Sequence, residues 1–129
     1  MRNRGATIIL EKDRVALIKR TKPHTTYYVF PGGGIETGET PEEAAIRETY
    51  EEIGVHVKIQ RLLKVLPYSG KQYYYLAEII GGTFGAGTGD EYKNPSIKKG
   101  SYEPIWINLK DLTSLDVRPK EIVEAILAD

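Results

Sequence analysis

The chain has no cysteine, only two histidines (His24 and His56), and no apolar run approaching the length needed to cross a bilayer. The missing cysteines exclude a disulfide framework and fit a reducing compartment, with the cytoplasm as the expected location. So few nitrogen and sulfur donors leave little for zinc or copper to bind. Met1-Arg2-Asn3-Arg4 is followed by too short an apolar stretch for a secretory signal, and no membrane association is expected. There is no net charge either: 18 basic residues cancel 18 acidic ones, which argues against a nucleic-acid polyanion as the main partner. The motifs G-x4-G-K-[ST], G-x-G-x-x-G after a strand, H-E-x-x-H and G-x-S-x-G are all missing, and no internal repeat is visible. A length of 129 residues predicts one domain, spanning 1–129, able to bury a core of its own.

What is present is concentrated in Gly33 to Val55, a stretch holding four glycines and seven glutamates. Thr40, Pro41 and Glu43 form a helix start, with a side-chain cap, a proline at the first helical position and a carboxylate reaching back. The helix runs through good formers and stops at Gly54, which can take the left-handed conformation past a helix end. At about 100° per residue, Ile46, Tyr50 and Ile53 share one face and Glu48, Glu51 and Glu52 the opposite one. Arg47 can pair with Glu51 four residues on, but one arginine cannot neutralise three glutamates. Like charges at this spacing cost a few tenths of a kcal/mol, roughly, per pair, and a divalent cation would convert that cost into binding energy. With only carboxylate oxygens on offer, Mg²⁺ fits, and Mn²⁺ can replace it. Pro31-Gly32-Gly33-Gly34 reads as a sharp turn that lets backbone approach a ligand closely, and its carbonyls could complete a metal shell.

Written as G-x5-E-x7-R-E-U-x-E-E-x-G-U, with U aliphatic, the stretch is met by Gly33, Glu39, Arg47, Glu48, Glu51, Glu52, Gly54 and Val55. It resembles the signature of the MutT-like Nudix hydrolases. The lead-in Tyr28-Val29-Phe30-Pro31-Gly32-Gly33-Gly34-Ile35-Glu36 and the later Tyr102-Glu103-Pro104-Ile105-Trp106-Ile107-Asn108-Leu109 also look like that family. The resemblance implies that Glu48, Glu51 and Glu52 are metal ligands, with the carbonyl of Gly32 a further one. It also implies that Arg47 and Glu39, with Gly33 and Gly54, support the ligand helix and loop. Thr49 departs from the pattern, standing where the family has an aliphatic residue; it reads as a small packing change at the flank of the packed face.

Strands are expected near residues 5–10, 14–20, 27–30, 55–66, 72–80 and 104–108, with a tight turn over 11–14. A second helix is expected over Val117 to Leu127, capped by Asp116, with Pro119 in its first turn and Ile122, Val123, Ile126 and Leu127 buried. The order strands, helix, strands, helix predicts an α+β fold, consistent with the α/β/α sandwich of a Nudix domain, a mixed sheet between helices. Tyr73, Tyr74 and Tyr75 read as a strand whose middle ring faces away from its neighbours, and Trp106 reads as core.

Residues 81–101 form a long glycine-rich loop, a length usually associated with function or disorder. The family's habit of sending an acidic residue from this region to the metal makes Glu91 a candidate, with Asp90 in reserve. Residues 1–35 carry seven Lys/Arg against two Asp/Glu, net +5, and residues 36–55 carry one against seven, net −6. A basic segment beside an acidic helix suits a phosphorylated ligand bridged by cations. Lys19 and Arg20 are phosphate-contact candidates, and Tyr27, Phe84 and Tyr92 are candidates for gripping a base.

The expected activity is metal-dependent hydrolysis of the diphosphate link in nucleoside diphosphate derivatives: nucleoside triphosphates, dinucleoside polyphosphates or nucleotide sugars. Glu51, Glu48 and Glu91 all qualify as the proton acceptor. Two other readings stand beside it: a nucleotide-sensing module that does not cleave, and a pyrophosphohydrolase acting on RNA 5′ ends. The expected partner is a small nucleotide-type substrate, and the resemblance also admits a homodimer.

Overall fold

A computed structural model describes residues 2–87 and 101–129. In chain order these form β1 (Arg4–Glu11), β2 (Arg14–Lys22), β3 (Thr25–Val29), β4 (Gly32–Gly34), α1 (Pro41–Ile53), β5 (Val55–Leu66), β6 (Gln72–Gly82) and β7 (Ser101–Asn108). A 3-10 turn (Leu109–Asp111), β8 (Val117–Arg118) and α2 (Lys120–Ala128) complete the described chain. The strands make a mixed sheet in the order β5-β6-β1-β2-β3-β8, with β4 added on β1 and β7 on β2. The β1–β6 and β3–β8 pairs are parallel and the others antiparallel. Lys12 and Asp13 turn β1 into β2, with Lys12 at φ 55.

Side-chain alternation along the central strands builds two cores. Ala6, Ile8, Val15 and Leu17 pack with Ile122, Val123 and Ile126 of α2. Ile9, Ala16 and Ile18 pack with Ile53 of α1 and with Val55, Val57 and Ala77. Both faces of the sheet are therefore covered, which is why β1 and β2 read as continuous apolar runs. Ile8, Ile9, Leu17, Ile18, Ile53 and Ile122 are fully buried, each contributing about 1.5–3 kcal/mol relative to exposure.

Helix α1 begins and ends as its sequence predicts. Thr40 Oγ1 accepts from the Glu43 amide at 3.1 Å, and the Glu43 carboxylate accepts from the Thr40 amide at 2.8 Å. At the far end Gly54 sits at φ 81 and donates its amide to Tyr50 O. Its orientation differs from expectation. The buried residues are Ala44, Ala45, Thr49, Glu52 and Ile53, so the packed stripe is rotated toward Ala45 and Thr49. Tyr50, expected inside, is 39% exposed and stacks on His56 with centroids 4.2 Å apart. Glu52, expected with Glu48 and Glu51 on the face opposite the packed one, is covered.

Other boundaries also move. The triple glycine, read as a turn, is strand β4. Val117 and Arg118 pair with β3 instead of opening a helix, because a residue preceding proline is pushed toward extended backbone. Asp116 accordingly does not cap α2 and instead holds Arg118 in a two-pronged pair. Leu127, expected buried, is half exposed. Within the expected loop 81–101, β6 extends through Gly82 and β7 starts at Ser101; Asp90, Glu91 and Tyr92 lie outside the described residues. Tyr74 packs edge-on against Phe30 at 5.9 Å, while Tyr73 and Tyr75 stack together at 6.5 Å on the other face, as alternation predicts. No helix among the described residues is long and apolar enough to cross a membrane.

Candidate active site

Strand β4 and the second half of α1 lie against one another, and two contacts define their junction. The Gly32 amide donates to Glu52 Oε1 at 2.7 Å, a buried bond. A carboxylate accepting from a backbone amide is a strong, charge-assisted interaction, and it holds Glu52 at 9% exposure. One residue along, Glu48 occupies the space above Gly33: a Cβ built there would overlap the carboxylate. An alanine at position 33 would therefore displace the Glu48 carboxylate, and Gly33 has no left-handed backbone.

Arg47 ties the helix to the loop before it. Its Nε donates to Glu39 Oε2 at 2.6 Å and its Nη2 to Glu39 Oε1 at 3.0 Å, a two-pronged pair. Nη2 also donates to Gly34 O at 3.1 Å, and Nη1 to Glu48 Oε1 at 2.7 Å and Glu51 Oε1 at 3.2 Å. One guanidinium thus binds the end of β4, the loop carboxylate and two helix carboxylates, as its five-donor fork allows. The side-chain bond from Arg47 is the main reason that Glu39 is held down at about 2 instead of the usual 4.5. Conversely, bonding to Glu39 pushes Arg47 well above its ordinary value. Glu36 stands 3.8 Å from the same guanidinium.

Glu48 and Glu52 line a cleft of about 390 Å³, together with Gly32 to Gly34, Arg2, Arg4, Arg20, Ile18, Phe30 and Tyr102. Glu51 does not line it; its side chain is 40% exposed and lies along Arg47. The last turn of α1 carries no basic residue, so Glu51 and Glu52 sit at the negative end of the helix dipole, a placement that typically costs about 0.3–1 kcal/mol per charge at a surface. A cation in the cleft would relieve that cost. Among the described residues no three acidic or histidine side chains converge into a ready-made metal shell, because Arg47 holds Glu48 and Glu51 while the Gly32 amide holds Glu52. The donor chemistry is carboxylate and backbone oxygen throughout, which fits a hard divalent cation, with Glu48, Glu52 and Gly32 at the cleft and Glu51 beside it.

The sequence-derived ligand candidates separate along strand β2. Arg20 lines the cleft with its guanidinium 3.7 Å from the Tyr102 ring. Lys19 does not line it: alternation turns Lys19 to the other face of the sheet, where it pairs across to Glu103 and Tyr28 in register. Phe84 is likewise not among the cleft's lining residues; it is half-buried against the α1-side core and stacks on Trp106 at 5.0 Å, with Arg14 over that ring at 4.2 Å. Tyr27 lies beside the cleft lining, its ring under Arg118 at 4.1 Å and near Arg20 and Lys22. Sequence reasoning passed over Arg2, Arg4 and Tyr102. The excess of basic residues in 1–35 pointed toward the first two, and the register pairing of Arg20 with Tyr102 could be found only once β7 was seen to start at Ser101.

Helix α1, packed directly on the glycine strand, thus shares one arginine-bearing cleft with it in a sheet covered on both faces. A family profile described as NUDIX domain matches residues 1–126. The chain belongs to the Nudix family. It is 38% identical over 88 residues to an ADP-ribose pyrophosphatase of Methanocaldococcus jannaschii, covering 61% of this chain and 52% of that one. It is 44% identical over 54 residues to diphosphoinositol polyphosphate phosphohydrolase 3-alpha of Mus musculus, covering 42% and 32%. The matches thus span about half and about a third of these curated relatives. Among solved structures, a MutT from work on the Aliivibrio salmonicida and Vibrio cholerae proteins superposes with a TM-score of 0.74 at 23% identity, over 99% of this chain and 97% of that one.

Proposed function

We propose that this protein hydrolyses the diphosphate link of small nucleotide-type molecules with the help of Mg²⁺ or Mn²⁺. The observation that carries the reading is Glu52: a carboxylate buried at the cleft wall, held by the Gly32 amide beside Glu48, in a chain whose four signature acids Glu39, Glu48, Glu51 and Glu52 are all present. Burying that charge is costly without a compensating cation or a fixed donor. A divalent cation, when bound, would polarise phosphate oxygens and lower the pKa of bound water.

The chain's own residues do the rest. Glu48 and Glu52 present oxygens at the cleft, Arg47 fixes the direction of Glu48, and β4 brings glycine backbone close to the phosphates. Water adds to one phosphorus, the bridging P–O bond breaks, and the proton passes to a carboxylate that is not committed to metal, with Glu48 or Glu51 in reach of Arg47. Arg20, which also lines the cleft, supplies positive charge to the phosphates. The relatives described as ADP-ribose pyrophosphatase and diphosphoinositol polyphosphate phosphohydrolase support the reaction class without choosing the substrate.

The test is release of phosphate and pyrophosphate from nucleoside triphosphates, dinucleoside polyphosphates, nucleotide sugars and ADP-ribose, with Mg²⁺, with chelator, and with Glu52→Gln. Glutamine can still accept from the Gly32 amide, so the variant should fold while turnover falls about 100-fold or more. Undiminished turnover in a folded Glu52→Gln protein, or turnover indifferent to chelator, would overturn the proposal. Ligand binding without any turnover would favour a sensing module.

A further inference from the structure

A second cavity adjoins the carboxylate cleft. Arg4, Val29 and Phe30 line both, so the two spaces meet where β1 begins and β3 ends. The second measures about 280 Å³, just under the roughly 300–1,000 Å³ of pockets that enclose a whole drug-sized ligand. It has room for one end of a ligand whose phosphates lie in the first.

Its walls are mainly apolar rings: Phe30, Tyr68, Tyr74 and Pro119. Phe30 and Tyr74 are buried and pack edge-on, and the Tyr68 hydroxyl donates to Glu121 of α2, tying that half-exposed ring in place. The polar groups are few and directional. Gln72 stands beside Arg4 in the parallel register of β6 and β1, and its Oε1 accepts from the Tyr74 hydroxyl at 3.0 Å. That bond turns the amide oxygen toward Tyr74 and leaves the NH2 as the side that donates. Arg4 forms no ion pair among the described residues, and a guanidinium only donates. Arg118, which also lines the cavity, gives Nε and Nη2 to Asp116. Every side-chain nitrogen here is therefore a donor.

Such a lining selects its occupant. Ring walls suit a flat aromatic group better than a phosphate, and a sugar would bring hydroxyl protons that need acceptors. Nucleobases divide by the edge they show: guanine and uracil carry a carbonyl oxygen where adenine and cytosine carry an amino group. Against donors alone the carbonyl is bonded, whereas the amino group sets donor against donor. We propose that this cavity is the base subsite of the substrate, with Arg4 and Gln72 selecting a carbonyl-bearing base, so that guanine and uracil nucleotides are favoured over adenine and cytosine ones. This rests on the hydrolase reading above, and its test separates the two.

Using the full chain, kcat/KM is measured for GTP, UTP, ATP and CTP in Mg²⁺. Binding of the same four is measured by calorimetry in chelator, for the parent, Gln72→Met and Tyr74→Phe. Methionine keeps the length of Gln72 and removes its donors; phenylalanine leaves Gln72 in place but releases its oxygen, so the amide can turn. The parent should favour GTP over ATP and UTP over CTP by about fivefold or more, the worth of one matched base-edge contact. Each variant should lower those ratios by about threefold or more.

Equal use of the four nucleotides by the parent, or variants that keep its ratios, would overturn the base subsite and leave the hydrolase standing. Loss of all four in equal proportion in Gln72→Met would mark a phosphate contact and overturn it too. Absent turnover of every nucleotide, with binding in chelator still ordered by base and dependent on Gln72, would sink the hydrolase and uphold the base subsite.

Discussion

The Thr49 hydroxyl of α1 and the Thr7 hydroxyl of β1 form a hydrogen bond of 2.8 Å, and both side chains are fully buried. Two polar groups in this position satisfy one another and lock the rotation of α1 on β1, which sets where Glu48 and Glu52 point. Replacing one hydroxyl by a methyl leaves the other buried without its partner, a loss of about 1–3 kcal/mol; replacing both can be nearly neutral. Thr49→Val and Thr7→Val should each lower the urea midpoint, and the double variant should recover most of the loss. Additive losses in the double variant would mean that the hydroxyls are not coupled.

Gly33→Ala and Gly32→Ala should behave differently although the residues adjoin. A methyl on Gly33 meets the flexible end of Glu48, whereas one on Gly32 meets the backbone of Gly5 and Ala6. The first should keep near-parental stability and lose activity about tenfold or more as Glu48 is displaced from its working geometry. The second should destabilise by about 1–3 kcal/mol, as overpacking does. Thermal unfolding alongside turnover distinguishes the two, and a fully active Gly33→Ala protein would contradict the role given to Glu48.

Arg47→Ala removes the contacts to Glu39, Glu48, Glu51 and Gly34 O together. Loss of about 2 kcal/mol in stability is expected from the charge-assisted bonds alone, accompanied by lower turnover because Glu48 and Glu51 lose their common anchor. Arg47→Lys should recover little, since an ammonium cannot reproduce the two-pronged grip on Glu39. A stable and active Arg47→Lys protein would show that charge alone suffices.

The same pair sets an acid limit. Glu39 titrates at about 2 in the folded protein against an ordinary 4.5, because Arg47 bonds its charged form. A lowered folded value means that the unfolded chain binds the proton first. The stabilisation is therefore complete above pH 4.5 and is lost as pH falls from there toward 2. The urea midpoint should drop through that window, and Glu39→Gln should flatten the drop while lowering stability at neutral pH. An unchanged acid slope in Glu39→Gln would assign the acid sensitivity to other carboxylates.

Much of this was legible beforehand because it depends on local chemistry. Thr40, Pro41, Glu43 and Gly54 delimit α1 through bonds made within a few residues, and alternation placed Tyr74 against its neighbours. What the sequence hid depends on packing between distant segments. Three successive glycines offer no side chain to carry a strand signal, so β4 becomes visible only through its register with Arg4 to Ala6. That strand covers Glu52, which explains why the helix turns Ala45 and Thr49 inward and leaves Tyr50 at the edge. Similarly Lys19 and Arg20 look alike in sequence, and only the direction of β2 sends one to the cleft and the other away.

The bond between the Gly32 amide and Glu52 also makes the cleft self-reporting. One backbone proton is shielded for as long as that carboxylate keeps its inward position, and any event that draws Glu52 toward a cation must loosen it. Exchange of that single amide hydrogen with solvent would follow the occupancy of the carboxylate wall even when no chemistry takes place.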